Sequence, residues 1–227
     1  FMKGVEYLSK FDNASIISGH SYQTFEPGIT INMNGIYEYE SKKNLARENN
    51  LIYLSKPLGV GYLLAAYFKN SDLLDSKDFN EVLTSMKLSN KNASEIAKKH
   101  QTKSMTDISG FGLASHLGDI CKTSGLTANI YLDEKLLINP NLEILKKFQS
   151  TGYKSNYESV SHYIKSEGNN PYMDILYDPQ TNGPLLMIID ENKKESFEEA
   201  FLTLYNKRPI LVGNLISKKE HWINVIN

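Results

Sequence analysis

The sequence predicts an α/β protein, layered in the α+β manner. Short apolar strand patterns alternate with amphipathic helical ones along the chain, glycine and proline turns mark the ends of the strand patterns, and there are no internal repeats or low-complexity tracts. At 227 residues the chain is long enough to bury a core without disulfides or structural metals.

Residues 4–11 carry a short helical pattern, and residues 14–17 are expected as a buried strand running into Ser18-Gly19-His20-Ser21. Ile29, Ile31 and Met33, then Ile36, come close to period two, which predicts a strand over 28–37 with a bulge near Asn34-Gly35. Residues 38–50 are charged and Asn-rich and are read as a boundary between domains at 1–40 and 41–227. Beyond it the pattern becomes regular: strand 51–55, a Pro57-Leu58-Gly59 turn, helix 61–69, helices 79–88 and 92–100, then strand 103–107. Helix 112–123 follows, with Gly125 placed where a left-handed C-terminal cap is needed. Strand 127–132, helix 141–149, a polar stretch to 170, strands around Ile175 and at 185–189, helix 193–205, and strands 210–215 and 222–226 complete the chain.

Composition excludes several classes. With 25 basic and 26 acidic residues the net charge is −1, which argues against a nucleic-acid or membrane-surface partner, since either leaves a basic face visible in the counts. The apolar run at 57–68 is too short to span a bilayer. The lone cysteine, Cys121, follows Leu113 and Leu117 on the apolar face of a predicted helix and reads as core; a single cysteine permits no internal disulfide and fits a reducing, cytoplasmic setting. Phe1 precedes Met2 with no signal-peptide pattern after it, so the natural protein is expected to be longer.

The most informative stretch is Met105-Thr106-Asp107-Ile108-Ser109-Gly110-Phe111-Gly112-Leu113-Ala114-Ser115-His116. It puts a carboxylate at a strand end, two glycines at a turn and a helix start directly after. Gly110 and Gly112 let backbone approach a ligand, the first N–H groups of the helix favour anionic oxygen, and Asp107 suits a hard cation such as Mg²⁺ shared with nucleotide phosphates. The same residue types also make an ordinary helix-entry loop. Three other clusters are weaker alone. Ser18-Gly19-His20-Ser21 is a small polar nest or a plain loop, Lys56 to Gly61 lacks full phosphate-loop spacing and reads equally as a tight strand-to-helix turn, and Asp178-Pro179-Gln180-Thr181-Asn182-Gly183-Pro184 says rigid turn.

Taken in order, the four clusters resemble the selenophosphate synthetase (selenide, water dikinase) family of the aminoimidazole-ribonucleotide-synthetase-like superfamily, whose C-terminal region carries "GGHS", "TKPLG", "TDVTGFGLLGH" and "DPQTSGG" in this order. The likeness runs from about Val5 to the C-terminus. It implies that residues 1–40 are the tail of an N-terminal ATP-binding domain and that 41–227 form the C-terminal α/β domain. It implies a phosphotransferase that converts ATP, selenide and water to selenophosphate, AMP and phosphate, with Mg²⁺ on the nucleotide phosphates and a homodimer in the full-length protein. By the same resemblance Asp107 is a metal ligand, and Gly19, His20 and Ser21 contact ATP.

The family's glycine-rich segment, its catalytic cysteine or selenocysteine and lysine, and its other metal-binding aspartates belong to a region not matched by this sequence, so the chain alone is expected to be inactive. Ser18 stands for a glycine of "GGHS", and Asn182 and Pro184 stand for the Ser and second Gly of "DPQTSGG"; proline at 184 removes a backbone donor. These departures leave open a second reading, a non-catalytic or divergent module, fused for instance to an oxidoreductase.

Overall fold

A computed structural model describes residues 2–36, 39–69 and 72–226, with Asp12 described in its backbone alone. Its contacts divide the chain into two units, Phe1–Glu38 and Tyr39–Asn227.

In the first unit helix α1 (Met2–Asp12) forms as its periodicity predicts, supported by a Lys10–Glu6 pair one turn apart at 2.7 Å and by stacked Tyr7 and Phe11 rings. The strands expected at 14–17 and 28–37 are corrected: residues 14–36 lie outside helix and strand, and Ile17 and Ile36 are 87% and 97% exposed. Tyr37 lies outside the described residues. Period-two patterning only selects a face; a strand also needs a neighbour to satisfy its N–H and C=O groups, and no described segment of this unit pairs with these.

The second unit is built on one mixed sheet. Its strands are β1 (Leu51–Leu54), β2 (Ser104–Asp107), β3 (Leu126–Ile130), β4 (Ile164–Ser166), β5 (Leu185–Ile189), β6 (Ile210–Ser217) and β7 (Ile223–Val225). They lie in the order β2-β5-β1-β6-β3-β7-β4. The pairs from β2 to β3 are antiparallel, whereas β7 runs parallel to both β3 and β4.

Helices cover both faces. Ile52 and Leu54 of β1 and Leu186 and Ile188 of β5 point into the larger core, shared with α2 (Val60–Phe68), α3 (Ser76–Lys87), α5 (Gly112–Ser124), α6 (Leu142–Lys147) and α7 (Tyr153–Val160). Tyr53, Leu185, Met187 and Ile189, the alternate positions, meet α4 (Lys91–Lys99) and α8 (Lys194–Tyr205) on the other side. This is why β5, Leu-Leu-Met-Ile-Ile, is buried at every position and reads as a continuous apolar run. The layered α/β class is therefore as expected. Gly125 adopts the left-handed conformation at φ 67° as the cap of α5. Cys121 is buried in the larger core, and burial pushes its thiol up to about 12, which makes it inert.

Two local expectations differ. The strand around Ile175 is a 3₁₀ turn, Met173–Tyr177, because a short apolar run carries no usable period; Ile175 and Leu176 are buried either way. The polar stretch after 149 contains α7 and β4, whose sequences expose most positions and so hide their periodicity.

Candidate functional site

Asp107 is the last residue of β2, paired across the ladder with Leu185. Its side chain is exposed, and its carboxylate makes no hydrogen bond or ion pair with any described residue. The chain then turns through Ile108-Ser109-Gly110-Phe111 into α5, whose start has no side-chain cap. Gly112 stands at φ +75°, and a Cβ there would meet the backbone of Leu176, Tyr177 and Asp178 at 2.9 to 3.2 Å. Glycine is thus required twice at this position, for its φ and for the close approach of the second loop.

That second loop is the Asp178–Pro184 turn, and the two are tied backbone to backbone. Gln180 N donates to Ser109 O at 3.1 Å, and Ile108 N donates to Pro184 O at 2.9 Å. A Cβ on Gly183 would collide with Ile108 O. Asn182 adopts a left-handed φ of 47°, which asparagine tolerates, and its Nδ2 donates to Met86 O at 2.7 Å and Leu88 O at 3.2 Å. The two residues that depart from the family pattern therefore make local structural bonds.

The third loop, Lys56 to Gly61, joins the same assembly. The start of α2 has no side-chain cap of its own; Gln180 Oε1 accepts from Gly59 N at 3.1 Å and Val60 N at 3.2 Å, and Asp178 Oδ2 accepts from Gly61 N at 3.1 Å. Gln180 Nε2 also donates to Asp178 Oδ2 at 2.8 Å. Asp178 is 2% exposed and its Oδ1 has no partner; burial pushes its carboxyl up to about 7 despite these bonds. Lys56, 4% exposed, donates to Ser85 O and Leu88 O at the end of α3, each at 2.8 Å, and burial pushes its ammonium down to about 8.

Asn156, which the sequence did not single out, holds two of the loops together, and His116, the last residue of the 105–116 stretch, braces the first. Asn156 of α7 is buried, and its Nδ2 donates to Gly110 O and Tyr177 O, both at 2.9 Å, bridging the first two loops. Nothing in a polar helix flags one asparagine over another. His116 of α5 accepts at Nε2 from Ser109 N at 3.3 Å, so its proton sits on Nδ1, which is buried without a partner. Burial, then the nearby Lys43, lowers its pKa, while Asp107 and Asp119 act the other way. Its place in the Asp107–His116 stretch was visible; its role as a strut for the loop was not.

Gly19, His20 and Ser21 lie in the first unit, exposed and outside helix and strand. Among the described residues, no three His, Cys, Asp or Glu side chains are grouped as a ready metal site, and no helix is long and apolar enough to cross a membrane.

Residues 47–206 match the family described as AIR synthase related protein, C-terminal domain. A selenide, water dikinase from Sulfurovum sp. is 30% identical over 219 residues, 93% of this chain and 61% of its own length. One from Caldanaerobacter subterraneus is 30% identical over 229 residues, 99% of this chain and 66% of its own length. The chain thus spans about two thirds or less of these relatives. Among solved structures, the thiamine-monophosphate kinase of Stenotrophomonas maltophilia aligns with a TM-score of 0.57 at 12% identity, over 82% of this chain and 52% of its own. The hydrogenase maturation protein HypE in complex with ATP aligns at 0.52 and 14% identity, over 78% of this chain and 45% of its own. At such identities these two speak for the fold alone. With the family matched over most of its length and its loop segments in register, the chain belongs to the AIR synthase related proteins and carries their C-terminal domain.

Proposed function

We propose that this chain is the C-terminal part of a selenophosphate synthetase-like enzyme, a phosphotransferase using ATP, selenide and water to give selenophosphate, AMP and phosphate. The observation that carries the reading is Asp107: an exposed carboxylate with no partner among the described residues, at a strand end, on a loop held by the Asp178–Pro184 turn and by Asn156 and His116. An unpaired carboxylate fits Mg²⁺, a hard cation that takes one or two protein carboxylates and fills its sphere with water and phosphate oxygen. When bound, the ion would neutralise charge on the nucleotide phosphates.

In this reading Asp107 anchors the cation and the loop of Ser109 to Gly112 faces the phosphates. Gly19, His20 and Ser21 contribute nucleotide contacts, across a homodimer in the full-length protein. Residues 1–40 are the tail of the ATP-binding domain, residues 41–227 the C-terminal domain, and the setting is cytoplasmic. Phosphoryl transfer of this kind depends mainly on positioning and charge neutralisation, so a rigid scaffold behind one carboxylate is a useful contribution.

Asn182 favours keeping a second reading, a divergent module that retains the fold without the selenide chemistry, because its side chain is committed to structural bonds where relatives carry Ser. One experiment separates them. In the full-length protein containing this sequence, ATP and selenide should yield selenophosphate by ³¹P NMR, and Asp107→Asn should slow Mg²⁺-dependent ATP turnover at least about tenfold, near 1.4 kcal/mol. Unchanged turnover in the variant removes Asp107 from the site. Absence of selenophosphate from a well-folded full-length protein favours the module.

A further inference from the structure

At the opposite end of β2 from Asp107 the second unit has an open-sided cavity of about 190 Å³. Its walls include Arg47, Gln101, Thr102, Lys103, Asp190 and Lys193. The strand register separates it from the Asp107 loop: Ser104 pairs with Ile188 at the cavity and Asp107 with Leu185, three residues or roughly 10 Å further along.

The charge around this cavity is lopsided. Arg47, Lys103 and Lys193 line it with a single carboxylate, Asp190, which is partly engaged as the cap of the next 3₁₀ turn, accepting from Asn192 N at 3.3 Å. The Arg47 guanidinium makes no hydrogen bond or ion pair with any described residue; only its backbone N–H is used, donating to Asn50 Oδ1. Lys103 Nζ lies over the Tyr39 ring, 5.1 Å from its centroid; the Glu40 carboxylate feels its charge, but among the described residues none is within salt-bridge range. Lys193 Nζ donates to His100 O at 2.9 Å and Gln101 Oε1 at 3.2 Å, which fixes the ammonium at the wall and leaves its third N–H. Thr102, 3% exposed, adds a buried Oγ1 without a partner.

We propose that this cavity binds a phosphate group, as the free dianion or on a small monoester. Basic side chains gathered along one concave site leave net positive charge there, and a tetrahedral dianion with several acceptor oxygens neutralises it while pairing with guanidinium and ammonium groups. Volume decides against larger ligands: sites for drug-sized molecules run from roughly 300 to 1,000 Å³, and a nucleotide would not be enclosed here.

The test is titration of the 227-residue chain at low ionic strength with inorganic phosphate and, separately, with methyl phosphate, followed by calorimetry. Saturable 1:1 binding is expected, weakening with added salt as exposed ion pairs are screened. The double variant Arg47→Gln/Lys103→Gln, whose side chains make no hydrogen bond in the fold, should keep the circular dichroism spectrum and unfolding midpoint measured without phosphate and lose binding by about tenfold or more. Equal binding of both probes assigns the site to a monoester's phosphate; binding of inorganic phosphate alone assigns it to the free ion. No saturable binding to the parent chain, or equal affinity in the double variant, overturns the proposal.

Discussion

Gln180 Oε1 accepts the backbone N–H of Val60 at 3.2 Å across 120 residues of chain, so the first turn of α2 is capped by a side chain from the Asp178–Pro184 loop. Helix starts normally recruit a cap from the residue just before them. Here that residue is Gly59 at φ +120°, which supplies no side chain, and the remote glutamine satisfies two of the helix's open donors at once.

Replacing Gln180 by Ala should therefore cost more than an ordinary cap. Losing the side chain leaves two donors open, each worth about 1 to 3 kcal/mol when buried, so a loss of about 2 to 6 kcal/mol is expected in urea unfolding. A change below about 0.5 kcal/mol, the usual range for surface positions, would show that water caps the helix as well.

Asp178 gives a pH dependence of defined sign. Burial raises its folded-state carboxyl from 3.8 to about 7, so between those values the folded state holds the proton more tightly than the unfolded chain. The stability tied to that proton is intact below pH 4 and is lost as pH rises through 7, on the order of 4 kcal/mol in all. Asp178→Asn should flatten unfolding free energy across this window while keeping an acceptor for Gly61 N. An identical slope in the variant would place the titration elsewhere.

His116 titrates with the opposite sign. Burial holds its folded-state pKa below the usual imidazole value, so its contribution is complete above the unfolded value and is lost as pH falls through the folded one. NMR of the ring should show a depressed pKa and, at neutral pH, the Nδ1–H tautomer that leaves Nε2 free to accept from Ser109 N. An elevated pKa or an Nε2–H tautomer contradicts the strut assigned to it.

Two glycines in α5 separate backbone strain from crowding. Gly125 at φ +67° has open space around it, so Gly125→Ala should cost about 1 kcal/mol. Gly112 at φ +75° lies against the backbone of Leu176 to Asp178, and Gly112→Ala should cost at least about twice as much, because the two loops must part. Equal losses in thermal or urea unfolding would mean that the loops are not in firm contact.

The central strands and most helices were legible in the sequence because burial sets their patterns directly: two-sided burial makes β5 a continuous apolar run, and one-sided burial spaces Ile96 and its neighbours along α4. The Asp107 stretch was legible for a related reason, since a strand end, glycines and a helix start are local chemistry that the order of residues records. What escaped had no such record. Residues 14–36 were read as strands yet form none, α7 hides in a polar segment, Asn156 looks like an ordinary surface residue until its partners arrive, and the bonds of His116 and Gln180 are not visible in the clusters that contain them. The sequence by itself determined which faces of the central strands and helices are apolar and where the loops between them turn. Only the tertiary structure decided that three loops far apart in the chain are joined, two by backbone hydrogen bonds and the third through the side chains of Gln180 and the buried Asp178, because a long-range bond depends on where two segments meet and leaves no period for the sequence to show.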